Sequence, residues 1–192
     1  MKFSPAYLAT LIIIPLKYYF ANYAPDDLRW NEDIKLSNIE IGTVNDFHKL
    51  AIQAKPRIMI NRGDFQIGNT GLTDNLSEAS WNDKLKGTTQ KINMVLIRGQ
   101  ITIILEARQE GTCEKLVDLV QHFLTWTGPI LAEAAKFKLF GLPLTVSSVI
   151  VNKEDTELFQ AAISVPYVKE EHWSVNNDGG EFRSFIFSLV KL

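Results

Sequence analysis

Few side chains in this chain of 192 residues are of the kinds that make and break bonds: one cysteine, three histidines and scattered carboxylates. Cys113 stands near the start of an amphipathic stretch, and a helix N-terminus can lower a thiol pKa enough to make a nucleophile. No dedicated histidine or asparagine partner is visible for it in the sequence, so it reads as a small core residue. As the single cysteine it cannot form an intrachain disulfide. His48, His122 and His172 lie far apart, without metal-ligand spacing, and read as structural or surface residues. Asp26-Asp27 and Glu170-Glu171 are carboxylate pairs of the kind that acid–base catalysis uses, but both fall in stretches that read as solvated loops. The sequence holds no Gly-rich phosphate loop with Lys-Ser/Thr, no His-Glu-x-x-His, no paired cysteines and no Gly-x-Ser-x-Gly. The expectation is a protein without catalysis, cofactor or metal.

Two short motifs read as incidental. Arg62-Gly63-Asp64 matches an adhesion tripeptide, yet Gly and Asp after the strand-like Pro56–Asn61 are also what a turn demands. Asn75-Leu76-Ser77 matches the glycosylation pattern, though with one cysteine and no clear secretory signal it reads as a chance match. Twenty basic against twenty-two acidic residues give a net charge of −2, so no global field draws in nucleic acid or an anionic membrane. With 46% hydrophobic and 22% charged residues the chain has the makings of one well-cored domain, 1–192, and shows no repeat or linker.

The elements that must position these residues centre on Gly87–Phe123. Ile92, Met94 and Leu96 alternate with a mixed set, Asn93, Val95 and Ile97, as Ile101, Ile103, Leu105 and Ala107 do with Gln100, Thr102, Ile104 and Glu106. A fold-back at Arg98-Gly99 puts both sets on one apolar face, giving a central antiparallel hairpin. The alternative is one long strand bent at Gly99, which would span roughly 60 Å at about 3.3 Å per residue and would have to project as an arm. The hairpin is the expected form. After it, Glu110-Gly111 breaks the strand and Thr112 is placed to cap a helix. Its stripe is Leu116, Val117, Leu119, Val120, Phe123 and Leu124. Gly128-Pro129 is expected to end or kink it and to open a second helix over Ile130–Phe137, closed near Gly141 and Pro143.

At the other end, Phe3–Phe20 is strongly apolar but too short to span a bilayer and is interrupted by Pro15 and Lys17, so no membrane role is expected. Ser4-Pro5 can start a helix over residues 4–23, with Leu8, Leu11, Ile12, Leu16, Tyr19, Phe20 and Tyr23 on one face. Ile13 and Ile14 widen that face beyond one stripe, which implies deep burial or cover by a neighbouring subunit. Trp30 is placed to pin the charged stretch that follows. Asn38–Ile41 reads as a short strand, Asp46 as the cap of a helical turn carrying Phe47, and the turn-rich segment at about 68–87, with its lone Trp81, as a long loop. Leu144–Asn152, Glu157–Val168 and Phe182–Leu192 read as strands, with Pro166 marking the second's far end as an edge or an exit from the sheet, and Glu170–Gly180 as loop. The fold class is α+β: a mainly antiparallel sheet with a central hairpin, flanked by an N-terminal helix and a central amphipathic helix.

One layout within the chain resembles a known family. Pro56-Arg-Ile-Met-Ile-Asn-Arg-Gly-Asp-Phe65, then Arg98-Gly-Gln-Ile-Thr-Ile and Glu106-Ala-Arg-Gln-Glu-Gly-Thr-Cys-Glu-Lys-Leu-Val-Asp-Leu-Val120, is similar to the neck and tail-completion proteins of tailed bacteriophages, most of all tail terminators. The resemblance implies a virion subunit, assembled in the host cytoplasm, that forms a homo-oligomeric ring, usually hexameric, between the tail tube and the neck or connector proteins. It implies neither specific nucleic-acid binding nor a membrane. The residues expected at interfaces are Ile13, Ile14, Arg62, Trp81 and Arg98. Two readings stand beside it: a non-viral enzyme or ligand-binding α+β domain with a pocket between sheet and helices, and a membrane-peripheral protein using residues 3–20.

Overall fold

A computed structural model describes residues 5–47, 55–68, 78–83, 88–152 and 157–176. Its elements, in chain order, are α1 (Pro5–Asn22), β1 (Glu40–Thr43), α2 (Val44–Phe47), β2 (Arg57–Asn61), β3 (Phe65–Gly68), β4 (Glu78–Asp83), β5 (Thr88–Ala107), α3 (Glu110–Ala134), β6 (Phe137–Phe140), β7 (Thr145–Val146), β8 (Ile150–Val151) and β9 (Phe159–Asn176). They form an α+β fold with one sheet, ordered β1-β2-β5-β9-β6, in which β3 and β4 add to β5, and β7 and β8 to β9. Among the described residues only β1 and β2 run parallel; every other pair is antiparallel.

The expected hairpin at Arg98-Gly99 does not exist. The chain passes through Gly99 as one strand, and β5 pairs with all 18 residues of β9, from Ala107↔Phe159 to Gln90↔Asn176. The reason lies across the ladder. Gly99 faces Tyr167, whose ring lies where a Cβ on residue 99 would sit, so this glycine makes room for an aromatic side chain and does not turn the backbone. Tyr167 is fully buried there, its ring edge-on to Phe137 at 5.9 Å. The hairpin that does form joins β4 to β5, Asp83 opposite Thr88, so the segment expected as a long loop contains a strand; residues 69–77 and 84–87 lie outside the described ones.

The side-chain period of two then divides the sheet. On one face Ile58, Ile60, Ile97, Ile101, Ile103, Leu105, Ala161, Ile163, Val165 and Tyr167 are buried. They lie under α3 and α1, which supply Cys113, Leu116, Val120, Phe123 and Leu124, and Leu8, Ile12, Leu16 and Phe20. The α1 set recurs every four residues, one stripe of a helix. Ser4, expected as its cap, lies outside the described residues. At the β1–α2 junction Asp46, expected as the cap, lies inside α2, where its Oδ2 accepts the Thr43 backbone N–H at 2.7 Å and the Thr43 hydroxyl at 2.8 Å. His48 lies outside the described residues.

Four further expectations are corrected. Helix α3 starts at Glu110 with Gln109 as its cap, whose carbonyl accepts the N–H groups of Thr112 and Cys113; Thr112 is inside the first turn. Gly128-Pro129 does not divide it. Gly128 is buried, and a Cβ built there would stand in ordinary contact, 3.7 Å from the Phe140 carbonyl, so α3 runs unbroken past it. The helix stops instead at Lys136, whose φ of 55° ends the right-handed run, and Phe137–Phe140 is a strand where helix was expected. Leu144–Asn152 is two short bridges, β7 and β8, with Ser147 exchanging hydrogen bonds with Ala162 between them. Pro166 lies inside β9, which runs on through the expected loop to Asn176. Its carbonyl accepts Gly141 N–H, so its missing donor faces the same side, the gap between β6 and β7, and the ladder to β5 is spared. Phe182–Leu192 lies outside the described residues.

Candidate interaction surface

The chemistry-bearing residues are committed to structure. Cys113 is fully buried, with Sγ 3.7 Å from the Leu105 carbonyl. Burial, with lesser contributions from the carboxylates of Glu106 and Glu114, pushes its thiol up to about 11. At neutral pH it is a thiol and not a nucleophile. Under native conditions at pH 7 a maleimide or disulfide reagent is expected to label it slowly, and rapidly once guanidinium unfolds the chain; fast native labelling would contradict this placement. Among the acidic pairs, Asp26 meets Arg29 at 2.8 Å and Asp27 meets Lys115 at 3.4 Å, both exposed, while Glu170 meets Lys138 at 3.0 Å from within β9. Exposed pairs of this kind contribute little, about 0–1 kcal/mol. Trp30 does pin its loop: its backbone N–H donates to the Phe20 carbonyl at 3.2 Å, and Lys17 Nζ sits 5.1 Å above its ring. No three His, Cys, Asp or Glu side chains gather as a metal site among the described residues.

One charged cluster is buried. Glu40, Arg57 and Glu106 stand directly opposite one another on β1, β2 and β5, on the sheet face away from α1 and α3. Arg57 Nε lies 3.4 Å from a Glu40 carboxylate oxygen, and its guanidinium packs 5.7 Å from the Phe47 ring of α2. Both glutamates are 8% exposed. The cluster ties β1, β2 and β5 together beneath α2. Glu40, Arg57 and Glu106 recur at no readable spacing in sequence, so only strand register brings them together.

The five residues expected at interfaces scatter. Arg62 and Arg98 are both exposed near the middle of β5, because the Arg62–Asp64 turn joins β2 to β3 and both strands pair with β5 there. Gly63 has φ of 54° and sits so close to the Gln100 carbonyl that a Cβ would overlap it; the tripeptide is a turn by conformation and by contact. Trp81 is on β4, its side chain outside the described ones. On α1, Ile14 is exposed, whereas Ile13 is half-buried and packs on the core. Sequence reasoning missed the exposed Tyr18 on α1, the exposed Trp126 and Ile130 on α3, and Phe65 and Ile67 on β3. A helical wheel of α3 could have found Trp126 and Ile130, which fall four apart and outside the Leu116–Val120–Leu124 stripe.

No helix among the described residues is long and apolar enough to cross a membrane. No protein-family model and no curated protein sequence matches the chain.

Proposed function

We propose that the protein is a structural ring subunit of the neck or tail-terminator region of a tailed bacteriophage, placed in the virion between tail tube and head-completion proteins. It works through interfaces and not through turnover. The resemblance over about Pro56–Phe123 motivates this reading, and one structural observation carries it: α1 keeps Ile14 and Tyr18 at the surface after its inner stripe is buried. Large apolar side chains held in water at neighbouring helical positions favour cover by another molecule. A head-to-tail contact that covers them closes into a ring when the rotation between subunits is right.

Electron microscopy of the purified protein, alone and with isolated tail tubes, tests it. Closed rings in either sample are the expected result; single subunits in both would overturn it. The two isoleucines should also separate. Ile14→Ser is expected to shift assemblies toward monomer with an unchanged melting temperature. Ile13→Ser, at a position packed on the core, should lower the stability of the subunit itself by about 1–2 kcal/mol, measured by chemical denaturation.

A further inference from the structure

The outer register of α3 and that of α1 form one surface. Along α3, His122, Trp126 and Ile130 follow one another at intervals of four, with the His122 and Trp126 rings 5.7 Å apart. On α1, Tyr18 meets Tyr23 edge-on at 6.4 Å, and Tyr23 meets Tyr19 at 5.9 Å. Tyr19 reaches the buried α3 residue Phe123 at 5.4 Å where the helices touch, one turn from Trp126 along α3. Across this surface Ile14, Tyr18, Tyr23, Trp126 and Ile130 are each between 62% and 69% exposed.

Its charge and its size restrict what can cover it. Between Asp118 and Glu133 α3 carries no formal charge, and α1 carries only Lys17, which lies over the Trp30 ring. A phosphate backbone therefore finds a single lysine, already placed over a ring. An anionic membrane surface would face exposed Glu114, Asp118 and Glu133 along α3, while the nearby Lys115 is paired with Asp27. The five side chains offer on the order of 700 Å², counting about 150–250 Å² for a whole aromatic. That is close to the roughly 800 Å² each partner contributes to a stable interface. The partner face must be apolar and free of charge at its centre, whichever patch of the second copy supplies it. Tyrosine and tryptophan are also the residues that dominate such contacts.

We infer that the two-helix aromatic surface centred on Trp126 is where a second copy of this chain docks. The inference rests on the ring reading only in taking the occupant to be another copy, and it extends the contact from α1 to α3. Sedimentation velocity over a wide concentration series tests it with four proteins. The wild type is expected to self-associate. Trp126→Glu and Tyr18→Glu should each raise the midpoint of dissociation about thirtyfold, the change that a central aromatic anchor worth about 2 kcal/mol implies. Their circular-dichroism melts should match the wild type, because both positions are exposed on helices. Ile150→Gln, exposed on the far sheet edge, should change nothing.

Assembly of Trp126→Glu with wild-type affinity would overturn this surface while leaving the ring reading intact. Loss of assembly in Ile150→Gln alone would move the contact to the sheet edge, which likewise overturns the surface and spares the ring. A wild type that stays monomeric throughout, but whose Trp126 binds neutral or anionic vesicles, would make lipid the occupant and overturn the inference. A wild type that is monomeric and binds neither vesicles nor itself would also overturn it, and the ring reading would then be judged by the tail-tube experiment alone.

Discussion

Arg57→Leu is expected to lower the free energy of unfolding by about 3–5 kcal/mol, a large part of the stability of a domain this size. The guanidinium is the positive partner in a row whose other charged members, Glu40 and Glu106, are each 8% exposed. Removing it leaves two carboxylates facing each other across β2, taken out of water and deprived of the charge that offsets their desolvation. Attraction to Glu40 at 3.4 Å and the Phe47 ring hold the guanidinium, since Arg57 Nε has no hydrogen-bond partner among the described residues. Arg57→Lys should therefore recover part of the loss, because a compact ammonium restores the charge but not the planar stacking. Replacing all three by Met or Leu should recover most of it, since a buried ion pair and an apolar cluster of equal volume are often near-equivalent. Urea unfolding of the three variants measures each step. Full stability in Arg57→Leu would mean that water reaches the row.

Tyr167→Ala should cost a similar amount, about 3–5 kcal/mol, as for other large buried aromatics. The ring is fully buried, lies against Gly99 and meets Phe137, so truncation empties a space lined on one side by backbone. Gly99→Ala acts on the same space from the opposite strand. Its methyl group would overlap the Tyr167 ring, and overpacking of this kind costs about 1–3 kcal/mol. The two changes are expected to be strongly non-additive: in a Tyr167→Ala background, Gly99→Ala should be nearly neutral. Additive losses in a double-mutant cycle would show that Gly99 is required for its backbone and not for the room it leaves.

Gly99 also shows where the sequence was legible and where it was not. Apolar alternation along residues 92–107 identified strand, and the inward face correctly only for 101–107: without the fold-back Leu96 shares the parity of Thr102, and Ile97, expected on the opposite face, is the buried one. Whether a glycine turns the chain or seats a ring depends on what stands opposite, and Tyr167 is 68 positions away. Pro166 misled for the same reason: it faces the gap beside β6, which sequence order does not place next to β9. The stripe of α3 and the inner face of α1 were readable since local period alone sets them. Of the surface, only Ile14 was singled out, through the excess width of one helix; Ile13, named with it, packs on the core. The join between α1 and α3, made by Tyr19 and Phe123, is tertiary, so Trp126 had no reason to be associated with Tyr18.

The β5–β9 ribbon also sets an order in time. Its base, Ala107 against Phe159, closes a loop of about 50 residues that contains α3, and its tip, Gln90 against Asn176, one of about 85. If the base pairs first, each later rung extends a register already set, and only one long loop closure is needed. Contacts this far apart in sequence make for slow folding, and until β9 arrives the long β5 is a strand with unmet backbone donors and acceptors along one side. The chain must translate through Phe159 before that side has its own partner, which makes the interval between the two strands the period when pairing with another copy is the greatest hazard.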